Sequence, residues 1–182
     1  MPNILVVTGS VRPNSVNQKI VPLVVEEVEK QGATAIVADL KEINLPFYDA
    51  PYSSTAPEFE PTNEPAKKWT QLVADADAVI LVTPEYNHTV SPVQMNAIDW
   101  IGREWEGKHV GLVGYGWTSG AHQAHAAARE ALAGVLKAIV GDEQTNLFFT
   151  RDIAPDGSIL DTDAVSGQIS ATVAELVSAV KA

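Results

Sequence analysis

No cysteine occurs anywhere in the 182-residue chain. This removes disulfides, thiol nucleophiles and cysteine-ligated metals from consideration, and it suits a reducing compartment. Cationic residues are scarce too: 12 lysines and arginines stand against 23 acidic residues, a net charge of −11. Nucleic acid and anionic membrane surfaces both need a cationic face, so neither is an expected partner. The same deficit means that an anionic ligand would need a local positive site. Long apolar runs are missing as well, the strongest being about five residues against the roughly 20 that cross a bilayer. The first strand-like run begins three residues in, which leaves no room for a signal peptide and makes a cytoplasmic location the expectation. One domain is expected at this length, with 46% apolar residues to fill its core.

What is present alternates regularly. Short β-branched runs predict strands at 3–8, 34–39, 78–83, 109–114 and 145–150. Helical patterns fall between them at 15–31, 64–75, 92–105 and 120–140, with a last one at 162–181. Five βα units imply a mostly parallel sheet with right-handed crossovers. Ser91-Pro92-Val93-Gln94 and Ser15-Val16-Asn17-Gln18 both read as capping boxes at helix starts. The connection from Asn44 to Pro65 is long and carries five prolines, which marks a loop and a candidate border for a substrate mouth.

Ligands of open parallel sheets bind at the carboxyl ends of the strands, so the loops found there carry the function. After the first strand comes Gly9-Ser10-Val11-Arg12-Pro13-Asn14-Ser15-Val16-Asn17. It is neither a dinucleotide fingerprint nor a Walker loop. It offers hydroxyl, guanidinium and amide donors from Ser10, Arg12, Ser15 and Asn17, beside a positive helix end. That set suits the three oxygens of a terminal phosphate monoester. After the third strand comes Pro84-Glu85-Tyr86-Asn87, a stiffened polar loop suited to lying along a flat ring. After the fourth comes Gly114-Tyr115-Gly116-Trp117-Thr118-Ser119-Gly120, where glycines allow close backbone approach to a ligand.

Gly-Ser-x-Arg-x-x-Ser-x-Asn resembles the FMN-phosphate loop of the NADPH-dependent FMN reductase family, which includes small quinone, azo-dye and chromate reductases. Pro84–Asn87 followed by Asn96-Ala97-Ile98-Asp99-Trp100, and Leu45-Pro46-Phe47-Tyr48-Asp49, resemble further segments of that family. The resemblance implies a flavodoxin-like three-layer α/β sandwich with a five-stranded parallel sheet of order 2-1-3-4-5. It implies FMN held by Ser10, Arg12, Ser15 and Asn17 at the phosphate, by Pro84, Glu85, Tyr86 and Asn87 along the ring and ribityl chain, and by Gly114, Gly116, Trp117 and Thr118 in the third loop. It also implies NADPH or NADH as co-substrate, ping-pong transfer to a small-molecule acceptor (quinone, azo compound, metal oxyanion or free flavin), and a homodimer or homotetramer. No protein nucleophile is expected, because the flavin carries the chemistry. The chain departs from the family pattern at Met95, where relatives have lysine, and at the bulky Tyr115 and Trp117.

Other readings stay open at this point. A flavodoxin-type electron carrier fits the acidic charge, and a non-enzymatic flavin-binding module fits the departures. A receiver domain is disfavoured, since Thr8-Gly9-Ser10 and Thr83-Pro84 stand where it needs acids. His122 and His125 share a helix face, yet no neighbouring carboxylate or cysteine in sequence completes a metal set. Trp69, Trp100 and Trp105 read as core residues, and the apolar flank of Met95, Ile98 and Gly102 as a face that a second subunit would cover.

Overall fold

The computed structural model describes residues 1–181. Five strands, β1 (Asn3–Thr8), β2 (Thr34–Ala38), β3 (Ala78–Pro84), β4 (His109–Gly116) and β5 (Ile139–Phe148), form one parallel sheet of order β2-β1-β3-β4-β5. The order reverses between β1 and β3, which opens a crevice at their carboxyl ends. Helices α1 (Asn17–Lys30) and α6 (Thr162–Lys181) cover one face. Helices α2 (Leu40–Ile43), α3 (Glu64–Asp75), α4 (Pro92–Asp99) and α5 (His122–Arg129) cover the other. Alternation along the strands explains the division. Ile4, Val6, Ile80 and Val82 pack under α1 and α6, while Leu5, Val7, Val79 and Leu81 pack under α3 and α4. Every residue of β3 is buried, as a strand covered on both faces must be. Among the described residues no helix is long and apolar enough to cross a membrane.

Four boundaries differ from the sequence-based expectation. Helix α1 starts at Asn17, with Val16 at the cap position; Ser15 Oγ, one residue earlier, accepts the Asn17 N–H at 3.3 Å and lies 3.2 Å from the Tyr115 hydroxyl. Helix α4 ends at Asp99 instead of running to Trp105, which lies in a separate 3-10 turn at Arg103–Trp105. The long loop crosses at that point: a Cβ on Gly102 would lie 1.8 Å from the Ser54 carbonyl oxygen. Helix α5 is short, and a π turn over Glu130–Val135 follows it. Strand β5 starts six residues before the expected 145, at Ile139. Its Gly141-Asp142-Glu143 stretch is too polar to read as a strand. It holds its place at the sheet edge because the Glu175 carboxylate accepts from the N–H groups of Asp142 (3.0 Å) and Glu143 (2.9 Å).

The three helix-region tryptophans are fully buried, and each indole N–H finds a carbonyl: Trp69 on Ala97, Trp100 on Pro46 and Trp105 on Ile98. A buried indole needs such a partner. Trp100 and Asn96 thereby grip the long loop at Pro46, and the Tyr48 N–H returns to Asn96 at 2.9 Å. The flank read as a subunit face is covered within the chain. Ile98 is 1% exposed, Gly102 is closed by Ser54, and Met95 packs against the core. That flank therefore gives no support for a dimer.

Candidate active site

A cleft of about 470 Å³ opens where β1 and β3 diverge. It lies within the roughly 300–1,000 Å³ of small-molecule and cofactor sites. Three loops that the sequence singled out meet there: Arg12 and Ser15 from the first, Pro84, Glu85 and Tyr86 from the second, and Gly116 and Trp117 from the third.

The first loop is locked from beneath. Asn17 is 2% exposed, and its Oδ1 accepts the Gly9 N–H at 2.7 Å. Its Nδ2 donates to the Tyr115 hydroxyl at 2.9 Å, and that hydroxyl lies 3.2 Å from Ser15 Oγ. Burial holds the Tyr115 phenol above its ordinary pKa, so it stays a protonated hydroxyl within this network. Bulky Tyr115 is thus a strut under the loop and not an obstruction over it. Above the strut, Asn14 adopts left-handed backbone (φ 56°), and the N–H groups of Asn14, Ser15 and Val16 have no partner among the described residues. Successive free amides in such a turn form an anion-binding concavity. Arg12 extends beside it, exposed and with no ion pair among the described residues. Ser10 is 8% exposed and lies 3.3 Å from the Tyr86 hydroxyl, which ties the first loop to the second.

The second loop is pinned by Glu85. Its carboxylate accepts from the Ser119 hydroxyl (2.5 Å) and from the N–H groups of Gln123 (3.1 Å) and Ala124 (3.2 Å). It thus caps α5 from a distant strand end and fastens the second loop to the third. With three donors on it, Glu85 is anchored as a structural acceptor. Replacing Glu85 by alanine should cost about 1–2 kcal/mol in urea unfolding, the upper range for a lost helix cap, with glutamine recovering part of it. A catalytic pH profile that lost one limb in Glu85→Gln would show instead that the carboxylate exchanges protons.

Asn87, Gly114 and Thr118 do not line the cleft. Asn87 and His88 (φ 50° and 62°) form a tight turn closed by mutual hydrogen bonds between Tyr86 and Thr89. Thr118 is exposed beyond the rim. Gly114 lies inside: its missing Cβ makes room for His125, whose Nε2 would be 2.4 Å away. Its smallness serves helix packing, not ligand approach. Trp117 is 61% exposed and stacks on Phe149, with centroids 4.4 Å apart and planes at 6°.

Other wall residues went unnoticed in the sequence. Phe149 follows β5, and Pro155-Asp156-Gly157 closes the cleft from the connection to α6. Pro-Asp-Gly signals a turn, and Gly157 has φ 83°, but nothing local places that turn against Val16. Among the described residues no group of three or more potential ligands could hold a metal ion.

The chain is similar to several known flavin reductases. The NAD(P)H-dependent FMN reductase ntnL of Nectria sp is 30% identical over 154 residues, covering 82% of this chain and 76% of that protein. A 2-hydroxy-1,4-benzoquinone reductase of Burkholderia sp is 35% identical over 103 residues, 56% of this chain and 51% of that protein. The solved structure of FerB, a flavoenzyme NAD(P)H:(acceptor) oxidoreductase from Paracoccus denitrificans, shares the fold at TM-score 0.71 and 24% identity, with 98% of each chain covered. The family model for NADPH-dependent FMN reductase matches residues 2–149, and the chain belongs to that family of flavin-dependent oxidoreductases.

Proposed function

We propose that the cleft binds FMN and that the protein reduces small aromatic acceptors, of quinone or azo type, at the expense of NAD(P)H in a ping-pong cycle. One observation carries this reading: a single cleft joins an anion cradle with Arg12 to an aromatic wall formed by Tyr86 and Trp117. The cradle of Asn14, Ser15 and Val16 amides with Arg12 suits a terminal phosphate. Pro84–Tyr86 and Gly116–Trp117 suit a flat heterocycle. Bound FMN would supply the hydride and electron chemistry. The chain's part is binding and orientation: Asn17 and Tyr115 keep the cradle's shape, and Glu85 holds the two ring-side loops at a fixed spacing. No side chain is required as nucleophile or base.

NADPH or NADH should bleach the visible absorbance of the FMN-loaded protein, and added 1,4-benzoquinone should restore it. Double-reciprocal plots should be parallel. Failure of both nicotinamides to bleach the protein would favour an electron carrier.

The phosphate role has its own test. Arg12→Ala should weaken FMN by about 1.5–3 kcal/mol, the range for hydrogen bonds to charged groups, or roughly 10- to 150-fold in Kd. Riboflavin, which lacks the phosphate, should bind the variant and the parent alike. Equal weakening of both ligands would refute the assignment.

A further inference from the structure

Three charged side chains line the cleft: Arg12, Glu85 and Asp156. Arg12 belongs to the anion cradle, and Glu85 is held by its three donors between the ring-side loops. Asp156 is left without a task, and it stands in an unexpected place for an acid. It lines the same cleft as Asn14, Ser15 and Val16, whose free amides attract an anion. The turn that carries it seats against the cradle, since a Cβ on Gly157 would lie 3.2 Å from Val16 Cγ2. Asp156 also lies beyond residue 149, where the match to the family model ends.

The acid is held in place. The Ala154 N–H donates to the Ser158 carbonyl and the Gly157 N–H to the Ala154 carbonyl, both at 2.8 Å. Asp156 Oδ1 accepts from the Ser158 N–H at 2.9 Å and from the Ser158 hydroxyl at 2.6 Å. These two bonds hold the carboxyl below its ordinary pKa, with Lys19 acting in the same direction, so the group is ionised at neutral pH. A local turn motif accounts for Oδ1. It does not account for Oδ2, which has no partner among the described residues.

An ionised carboxylate can only accept hydrogen bonds. To a bare phosphate it offers like charge, and it repels. A phosphate ester of a polyol brings hydroxyl donors on the carbons beside the phosphate, and these need acceptors. One fixed acid therefore opposes the first kind of ligand and favours the second, which is how a site gains specificity. The linker between the phosphate and the ring of FMN is such a polyol.

We propose that Asp156 is a specificity residue: its Oδ2 accepts a linker hydroxyl while Arg12 and the cradle hold the phosphate, so that the cleft selects polyol phosphates over other phosphate anions. The proposal rests on the FMN reading of the cleft and adds to it the residue that recognises the linker.

The test compares FMN with its 2′,3′,4′-trideoxy analogue, whose linker has no hydroxyls, by fluorescence titration of the FMN-free protein. FMN should bind the parent at least about tenfold more tightly, the least expected from one hydrogen bond to a charged group. Asp156→Asn can keep the Ser158 bonds through its amide oxygen, and it replaces the free acceptor by an NH2 donor. It should melt like the parent and lose at least about tenfold of the preference; Asp156→Ala should lose as much. Inorganic phosphate, titrated by calorimetry at low ionic strength, should bind both variants more tightly than the parent, because for it only a repulsion is removed. FMN bound by the parent without linker preference, or a preference that is undiminished in Asp156→Asn, would overturn the proposal and leave the flavin reading standing. Phosphate binding that is unchanged in the variants would also overturn it, since Asp156 would then not face the cradle. Weaker phosphate binding in the variants would overturn it too, by placing the carboxylate on the phosphate itself. A parent that binds no FMN yet binds ribitol 5-phosphate more tightly than pentyl phosphate would overturn the flavin reading and leave the role of Asp156 standing.

Discussion

Gly9→Ala is expected to lower the melting temperature by roughly 6–12 °C and to release FMN, because Gly9 sits where three loops cross. Its N–H is held by Asn17 Oδ1, and its carbonyl accepts from Ser91 Oγ at 2.5 Å. A Cβ there would lie 2.3 Å from the Val82 carbonyl oxygen and 2.7 Å from Pro84 Cδ. Both obstacles belong to β3, a central strand with no exposed residue, so neither moves unless β1 shears away from β3. Overpacking of this kind costs typically 1–3 kcal/mol, and the rigidity here points to about 3. Each kcal/mol corresponds to about 2–4 °C for a chain of this size. Thermal melts of the FMN-free proteins separate the packing effect from lost ligand. A variant that melts within about 2 °C of its parent would refute the account.

Acid should destabilise the protein through His125. The ring is fully buried, and neither nitrogen has a hydrogen-bond partner among the described residues. Burial pushes its pKa down from 6.5 to about 4; His122 and Arg129 act in the same direction, while Gln144 and Glu85 oppose it and are outweighed. The folded state therefore holds the ring neutral at pH values where the unfolded chain takes up a proton. The sign follows: this contribution is complete above pH 6.5, drains away as pH falls towards about 4, and is flat below. Its full size is about 3 kcal/mol, from 1.36 kcal/mol for each pH unit of the shift. Carboxylates titrate in the same range, so the informative quantity is the difference between parent and His125→Gln in urea midpoints from pH 7.5 to 4. That difference should shrink or reverse by about 3 kcal/mol on acidification. Parallel curves would mean that His125 is protonated inside the fold.

Local pattern carried much of the fold. Strand β1 and helices α3 and α6 occupy the spans expected from apolar runs and periodic stripes. The strand order followed from the family resemblance and agrees with the observed sheet. Edges were less legible. Strand β5 conceals its start in Gly141-Asp142-Glu143 because an edge position tolerates polar residues, and because its amides are satisfied by Glu175 more than 30 residues away.

The site divides in the same way. Residue type and spacing marked Arg12, Ser15, Glu85, Tyr86 and Trp117 as belonging to one region, since loops after parallel strands must converge at one end of a sheet. Their separate tasks were set by contacts between segments far apart in the chain. Asn17 and Glu85 read in sequence as groups facing a ligand; in the fold Asn17 is a buried brace for Gly9 and Tyr115, and Glu85 is a cap for α5. The free amides at Asn14–Val16 and the Pro155–Gly157 wall depend on backbone conformation and on how α6 is approached. Composition alone determined that the chain has no thiol chemistry and few cations. Tertiary structure decided which of those few remain unpaired, because an ion pair depends on a distance of a few ångströms that no local pattern encodes.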